Sequence, residues 1–313
     1  MFPKLKNKAI LSPMSGVTDV AFRTLSKKYG AGLTYTEFVS SAALVRGSKK
    51  SLEMIQTDKT EKPVAVQLFG NSIEEVVEAA KLVQNKFDII DVNCGCPAWK
   101  VIKTGAGSDL LKDPKKISKF VNKLVSSVQK PITVKIRTGI DDKNINALKV
   151  AKVIEDSGAS AIAIHGRTQK QGYSGKADWD IIKKVKESVN IPIIGNGDVF
   201  TPEDFKKKIE FSNVDYIMIA RGAIGNPYIF RQINDYLKKG SYSQPDKIKL
   251  FLEYLELANK YNLSPFIIKS QAVNFTKGLE GSTKLRNEIM KLNSIEEFKG
   301  TIINNSKIYP LKK

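Results

Sequence analysis

The sequence predicts an α/β protein, a (β/α)8 TIM barrel followed by an all-helical C-terminal segment. Three observations predict it: eight short apolar, β-branched runs bounded by turn residues, helical patterning between most of them, and a change of pattern after residue 240. At 313 residues the chain has room for one barrel of roughly 200–250 residues and a smaller unit beside it.

The runs are Ala9–Ser12, Leu33–Thr36, Val64–Leu68, Ile89–Asn93, Ile132–Ile136, Ala161–Ile164, Ile191–Ile194 and Tyr216–Ile219. After the third, Ser72–Gln84 opens on Ser72, Glu74 and Glu75 and repeats Val76, Ala79, Ala80 and Val83 on one face, as a capped amphipathic helix does. Thr201-Pro202-Glu203-Asp204-Phe205 is an N-cap followed by proline at the first helical position. The polar, turn-rich segment 238–245 reads as a linker, dividing a barrel domain (1–240) from a helical domain (241–313). Beyond it Ile248, Phe251, Leu252, Leu255 and Ala258 recur at helical spacing, and 267–279 and 285–292 suggest further helices with no strand between them.

Fifty-one Lys and Arg against 32 Asp and Glu give a net charge of +19, a field that concentrates polyanions and makes their binding salt-dependent. RNA or DNA is the partner this suggests, although with only seven Arg a general lysine excess explains the charge equally. No apolar stretch approaches the roughly 18 residues that cross a bilayer, so no membrane partner is expected. The N-terminus lacks the apolar core of a signal peptide, and Cys94 and Cys96 lie too close together for a disulfide framework, which points to the cytoplasm. His165 is the single histidine, which excludes a His-rich metal site, and no metal is expected. A monomer is the default expectation, since nothing in the sequence addresses oligomeric state.

Barrels of this class gather functional groups at the C-terminal ends of their strands. Those positions carry Pro13-Met14-Ser15-Gly16, Gln67, Asn93 and Cys96, Lys135 and Arg137, His165-Gly166-Arg167, Gly195-Asn196-Gly197-Asp198 and Ala220-Arg221-Gly222. The Cys96 loop, Asp91-Val92-Asn93-Cys94-Gly95-Cys96-Pro97, follows Phe87-Asp88-Ile89-Ile90 directly, where a buried strand gives way to solvent. Glycine turns after the seventh and eighth strands sit where barrels hold a phosphate with backbone N–H groups, though glycine also serves tight turns alone. Lys135 in the barrel mouth calls for an anionic or polar partner, which the N1/C2 carbonyl region of a reduced flavin would supply.

Taken together, Pro13-Met14, Gly16-Val17-Thr18-Asp19, Phe22-Arg23, Gln67-Leu68-Phe69-Gly70 and Asn93-Cys94-Gly95-Cys96-Pro97 continuing to Lys103 and Gly105-Ala106-Gly107-Ser108 resemble the tRNA-dihydrouridine synthases. His165-Gly166-Arg167-Thr168, Gln171-Gly172-Tyr173, Ala177-Asp178-Trp179 and Gly195-Asn196-Gly197-Asp198 extend the match to about residue 230. After the linker the chain resembles the family's helical RNA-binding domain more loosely, through Gly278 and Leu285-Arg286, and departs from it at Gln271 and Asn274.

The resemblance implies an FMN enzyme, reduced by NADPH, that saturates the C5=C6 bond of selected uridines in tRNA. It implies Cys96 as proton donor, a role that suits a thiol with an ordinary pKa near 8.5. It places Pro13, Met14, Ser15, Gln67 and Lys135 on the cofactor and Asn196, Gly197, Asp198, Ala220, Arg221 and Gly222 around its phosphate. His165 is expected on the flavin phosphate or the substrate, and Asn93, Lys103 and Arg167 on the nucleic acid. The target base must leave its stack to reach a barrel mouth. The same residues admit a flavin barrel acting on a free pyrimidine, similar to dihydroorotate dehydrogenases, and a noncatalytic RNA-binding protein.

Overall fold

The computed structural model describes residues 1–279 and 281–308, and its eight strands form one parallel sheet. Glu280 and residues 309–313, which the expected helical segment includes, lie outside the described residues. The strands are β1 (Ala9–Leu11), β2 (Thr34–Ser40), β3 (Val64–Phe69), β4 (Ile89–Cys94), β5 (Ile132–Arg137), β6 (Ala161–His165), β7 (Ile193–Asn196) and β8 (Tyr216–Ile219). They pair in the order β1-β8-β7-β6-β5-β4-β3-β2. Backbone hydrogen bonds from Gly32 N to Ala9 O (2.8 Å) and from Leu11 N to Leu33 O (2.9 Å) join β1 to the segment entering β2 and close the cylinder.

β8 has the expected bounds and five strands differ from theirs by one residue at the C-terminal end; β2 and β7 differ by more, each for a local reason. A register shift between Tyr35 and Phe38 lets β2 pair again with Gln67, Leu68 and Phe69, so it runs on to Ser40. β7 begins at Ile193 because Pro192 has no N–H to give the ladder; its carbonyl accepts from Ile162 N at 3.0 Å.

Alternation along each strand sorts side chains between the barrel interior and the helix layer. Ile10, Leu33, Ala65, Ile89, Ala161 and Ile194 pack together inside, with Phe2 and Leu5 among them. Two residues beyond Ala65, Ile89 and Ile194 the interior turns polar, at the buried Gln67, Asp91 and Asn196, with the buried Thr133 paired beside Asp91. Outward-facing Val64, Val66, Leu68 and Ile90 join the cluster formed with the helices. Ser72 caps the helix Ile73–Val83, its hydroxyl accepting from Glu75 N at 3.2 Å, and Thr201 forms a capping box with Asp204 at the start of Pro202–Ser212.

The helix Ile229–Lys239 stops at Gly240, and after the turn-rich segment come Lys247–Lys260, Pro265–Phe275, Ser282–Ile289 and Ile295–Ile308. These helices share an apolar cluster with the barrel: Phe251, Tyr254 and Phe275 pack with Val20 and Phe22 of the helix Val20–Lys28. Asp19, the cap of that helix, accepts from Phe22 N (2.9 Å), Gln271 Nε2 (2.8 Å) and the Tyr254 hydroxyl (3.2 Å). Burial raises its carboxyl to about 6 against the lowering effect of the bonds from Phe22 and Gln271. Gln271, where the chain departs from the resembled family, is thus a buried docking residue.

Arg23 on the same helix is fully buried and donates through Nε to Glu61 at 2.5 Å, and through its other nitrogens to the carbonyls of Thr18 (2.8 Å) and Gln56 (2.6 Å). Arg23→Ala would strand the buried Glu61 carboxylate and is expected to cost about 3–5 kcal/mol of stability. Denaturant unfolding measures this, and an unshifted midpoint would contradict the buried pair.

Candidate active site

At the C-terminal ends of the strands the polar interior opens into a cavity of about 450 Å³, a size suited to a cofactor or small ligand. Pro13, Met14, Ser15, Gln67, Asn93, Cys96, Lys135, His165, Asn196, Gly197, Asp198, Ala220 and Arg221 all line it. Phe38, Arg137, Tyr173 and Phe200, which carry no expected site role, line it as well. Lys103, Arg167 and Gly222 are not among the lining residues.

The Cys96 loop is built from the end of β4. Asn93 Oδ1 accepts from Gly95 N (3.1 Å) and Cys96 N (2.8 Å), turning the chain out of the strand. The Cys96 carbonyl is gripped by Ser108 through its N–H (3.0 Å) and its hydroxyl (2.8 Å). Gly107 backs this grip with φ +62°, where a Cβ would fall 2.8 Å from the Cys96 carbonyl oxygen. The Gly105–Ser108 part of the motif therefore clamps the loop. Cys94, one residue before Gly95, faces the helix layer and is 1% exposed, whereas Cys96 is half-buried on the cavity wall.

Burial pushes the Cys96 thiol above its ordinary range, outweighing the Ala98 N–H and the nearby Lys135 and Arg137 charges, so it stays protonated at neutral pH. Burial first, then Arg137, lowers Lys135 to about 8 while Asp91 and Cys96 oppose the shift. Burial together with Lys135, Arg137, Arg167 and Arg221 drives His165 far below its usual value, leaving a neutral imidazole. Arg137 donates to the carbonyls of Gly95 (2.9 Å), Thr168 (2.7 Å) and Gly172 (2.9 Å), tying the β4 loop to the β6 loop.

Three expected residues, Arg167, Asp198 and Gly222, are placed differently from their sequence reading. Arg167 is 2% exposed and so does not face the surface: its guanidinium donates to the carbonyls of Ser174 (3.0 Å) and Gly175 (2.7 Å) and to Asp198 (2.8 Å). Asp198 in turn accepts from Arg221 (2.8 Å) and Ala177 N (2.7 Å), which directs its carboxylate to the protein and holds Arg221 in place. Arg221 lies over the rings of Tyr173 (5.0 Å) and Phe200 (5.4 Å) at the cavity wall. Gly222 is a packing position, since a Cβ there would lie 2.3 Å from the Val199 carbonyl oxygen. Lys103 is exposed at the end of the short helix Trp99–Ile102.

The wall offers Lys135, Arg137 and Arg221 against the single carboxylate of Asp198, beside the amides of Gln67, Asn93 and Asn196. Such a donor-rich, cationic lining fits an anionic ligand with a flat polar edge. Among the described residues no cluster of His, Cys, Asp and Glu could hold a metal ion, and no helix is long and apolar enough to cross a membrane.

The fold resembles that of TcOYE in complex with pHBA, with a TM-score of 0.56 at 13% identity over 82% of this chain and 96% of that one. A histamine dehydrogenase from Rhizobium sp. 4-9 matches with the same TM-score of 0.56 at 14% identity, over 81% of this chain and 49% of that one. In sequence, a probable tRNA-dihydrouridine synthase of Rickettsia conorii is 38% identical over 97% of both chains. A tRNA-dihydrouridine synthase B of Pseudomonas putida is 43% identical over 80% of this chain and 76% of its own length. The dihydrouridine synthase (Dus) family model matches residues 10–308, and the chain belongs to that family.

Proposed function

We propose that this protein reduces uridines of tRNA to 5,6-dihydrouridine, using FMN held in the cavity at the barrel mouth and NADPH as electron donor. The observation that carries the reading is a half-buried, protonated thiol, Cys96, on the wall of a cationic cavity in a member of this family. Family membership also displaces the free-pyrimidine and noncatalytic readings. Gln67, Lys135, Pro13, Met14 and Ser15 would hold the ring system of the cofactor; Asn196, Gly197, Ala220 and Arg221 would hold its phosphate.

When bound, the reduced flavin supplies the hydride equivalent that uracil accepts at C6. The residues do the rest. C5 then needs a proton, and the Cys96 Sγ–H gives it, since burial keeps the thiol from ionising beforehand. Neutral His165 can donate or accept a hydrogen bond at the base without adding charge. Lys135, cationic below about pH 8, offsets negative charge in the cavity. The helices after Lys247, docked through Asp19, form with the barrel the surface that grips RNA while one base enters the mouth. This assigns residues 1–240 to catalysis and 241–313 to RNA binding.

Incubating tRNA from cells lacking this gene with the protein and NADPH should generate dihydrouridine. Unchanged RNA with full flavin loading would overturn the reading. Raising salt from about 50 to 200 mM should weaken tRNA binding by orders of magnitude and FMN binding far less. Equal responses would contradict a phosphate-gripping surface separate from a sheltered cofactor pocket.

A further inference from the structure

Asp91 lies one step below the cavity, is fully buried, and has no part in the steps above. It receives a hydrogen bond from Thr133 Oγ1 on one oxygen and from Gln67 Nε2 (2.6 Å) on the other. Gln67 Oε1 accepts from Asn93 Nδ2 (2.7 Å), and Asn93 Oδ1 accepts from the N–H groups of Gly95 and Cys96. Thr133, Asp91, Gln67 and Asn93 sit on adjacent strands with inward faces, so the sheet registers Gln67↔Asp91 and Asp91↔Thr133 assemble this chain.

Its direction is dictated from both ends. Backbone N–H groups only donate, so Asn93 must show them its oxygen and turn its NH2 to Gln67. Gln67 must then present oxygen to Asn93 and its own NH2 to position 91, which therefore has to accept. A carboxylate only accepts, which meets that demand whatever the neighbouring hydroxyl does. We propose that Asp91 is a positioning residue, whose acceptor-only carboxylate sets the orientation of the Gln67 and Asn93 amides and through them the placement of the Cys96 loop. Gln67 is thereby turned with a fixed edge to the cavity, and the thiol is held at a fixed point on its wall. Burial raises the Asp91 carboxyl to about 6, with Thr133, Gln67 and Lys135 pulling it back down, so it is ionised at neutral pH.

The test exploits the difference between a carboxylate and an amide. In Asp91→Asn the new side chain can still accept from Gln67 provided its NH2 turns to the Thr133 hydroxyl, which is able to accept. In Thr133→Val the carboxylate remains acceptor-only. The double variant has neither safeguard: the amide introduced at position 91 loses the hydroxyl that orients it and is free to oppose Gln67 donor to donor. Two readouts are taken. The first is the rate at which iodoacetamide alkylates Cys96 in the protein as purified, where buried Cys94 does not compete; the second is kcat and KM for uridine reduction.

Each single variant is expected within about fivefold of wild type, and the double variant at least about tenfold beyond their product in alkylation rate and in kcat, with KM for tRNA little changed. Multiplicative effects, or a double variant whose thiol reacts as in wild type, would overturn the proposal. A loss confined to melting temperature would do the same, because packing alone moves neither thiol reactivity nor kcat selectively. The kinetic arm rests on the proposed reaction and the alkylation arm does not, so a wild-type protein that makes no dihydrouridine sinks the former reading and leaves the latter measurable.

Discussion

Cys96→Ala is expected to lower uridine reduction by roughly 10²–10⁴-fold, the contribution typical of a positioned general acid. The variant should still retain FMN and still consume NADPH when given an artificial oxidant, because the wall residues expected to hold the cofactor are untouched. The loss follows from location: Cys96 lines the cavity, and its loop is clamped by Asn93 and Ser108. Cys94 is buried away from the cavity in the helix layer, so Cys94→Ala should cost stability and spare the chemistry. Uridine turnover by Cys96→Ala at the wild-type rate would remove the thiol from the mechanism.

Lys135→Met is expected to lower kcat/KM by roughly 10–150-fold, the equivalent of a charge-assisted hydrogen bond at about 1.5–3 kcal/mol. The sign of the pH effect follows from burial, which lowers the ammonium to about 8. Below that value the side chain is a cation, and above it the charge is lost, so wild-type activity should fall as pH rises through about 8. The Cys96 thiol, raised by burial, ionises higher and does not set this limb. Methionine keeps the length and removes the titration, so the variant's profile should be flat there. A limb that persists in Lys135→Met would assign it to another group.

The barrel was legible because parallel strands need crossover helices and so leave β-branched runs spaced apart along the chain. The site was legible because strand ends face one mouth: the residues expected on the cofactor line the cavity, Gly222 excepted. Partnership was not legible. Nothing in the order His165-Gly166-Arg167 tells that the Arg167 guanidinium folds back onto Asp198 and the Ser174 and Gly175 carbonyls. Arg137 was legible as a strand-end group beside Lys135 on one face of β5, but its bonds to the Gly95, Thr168 and Gly172 carbonyls were not.

The helix Ile295–Ile308 was not expected, although Ser294 followed three residues later by Glu297 could have marked its start: the Glu297 carboxylate accepts from Asn293 N at 2.7 Å and Ser294 N at 3.1 Å. Asp91 is visible in the motif, but its role is not, since the bond from Gln67 at 2.6 Å joins residues 24 apart in the chain.

Anaerobic single turnover of prereduced enzyme with unmodified tRNA tests the central claim most directly. Wild-type protein should reoxidise its flavin and form one dihydrouridine for each flavin reoxidised, while Cys96→Ala should hold its flavin reduced until oxygen is admitted. Flavin that tRNA fails to reoxidise in the wild type, or product formed equally by both proteins, would contradict a mouth in which the Cys96 thiol completes the reduction.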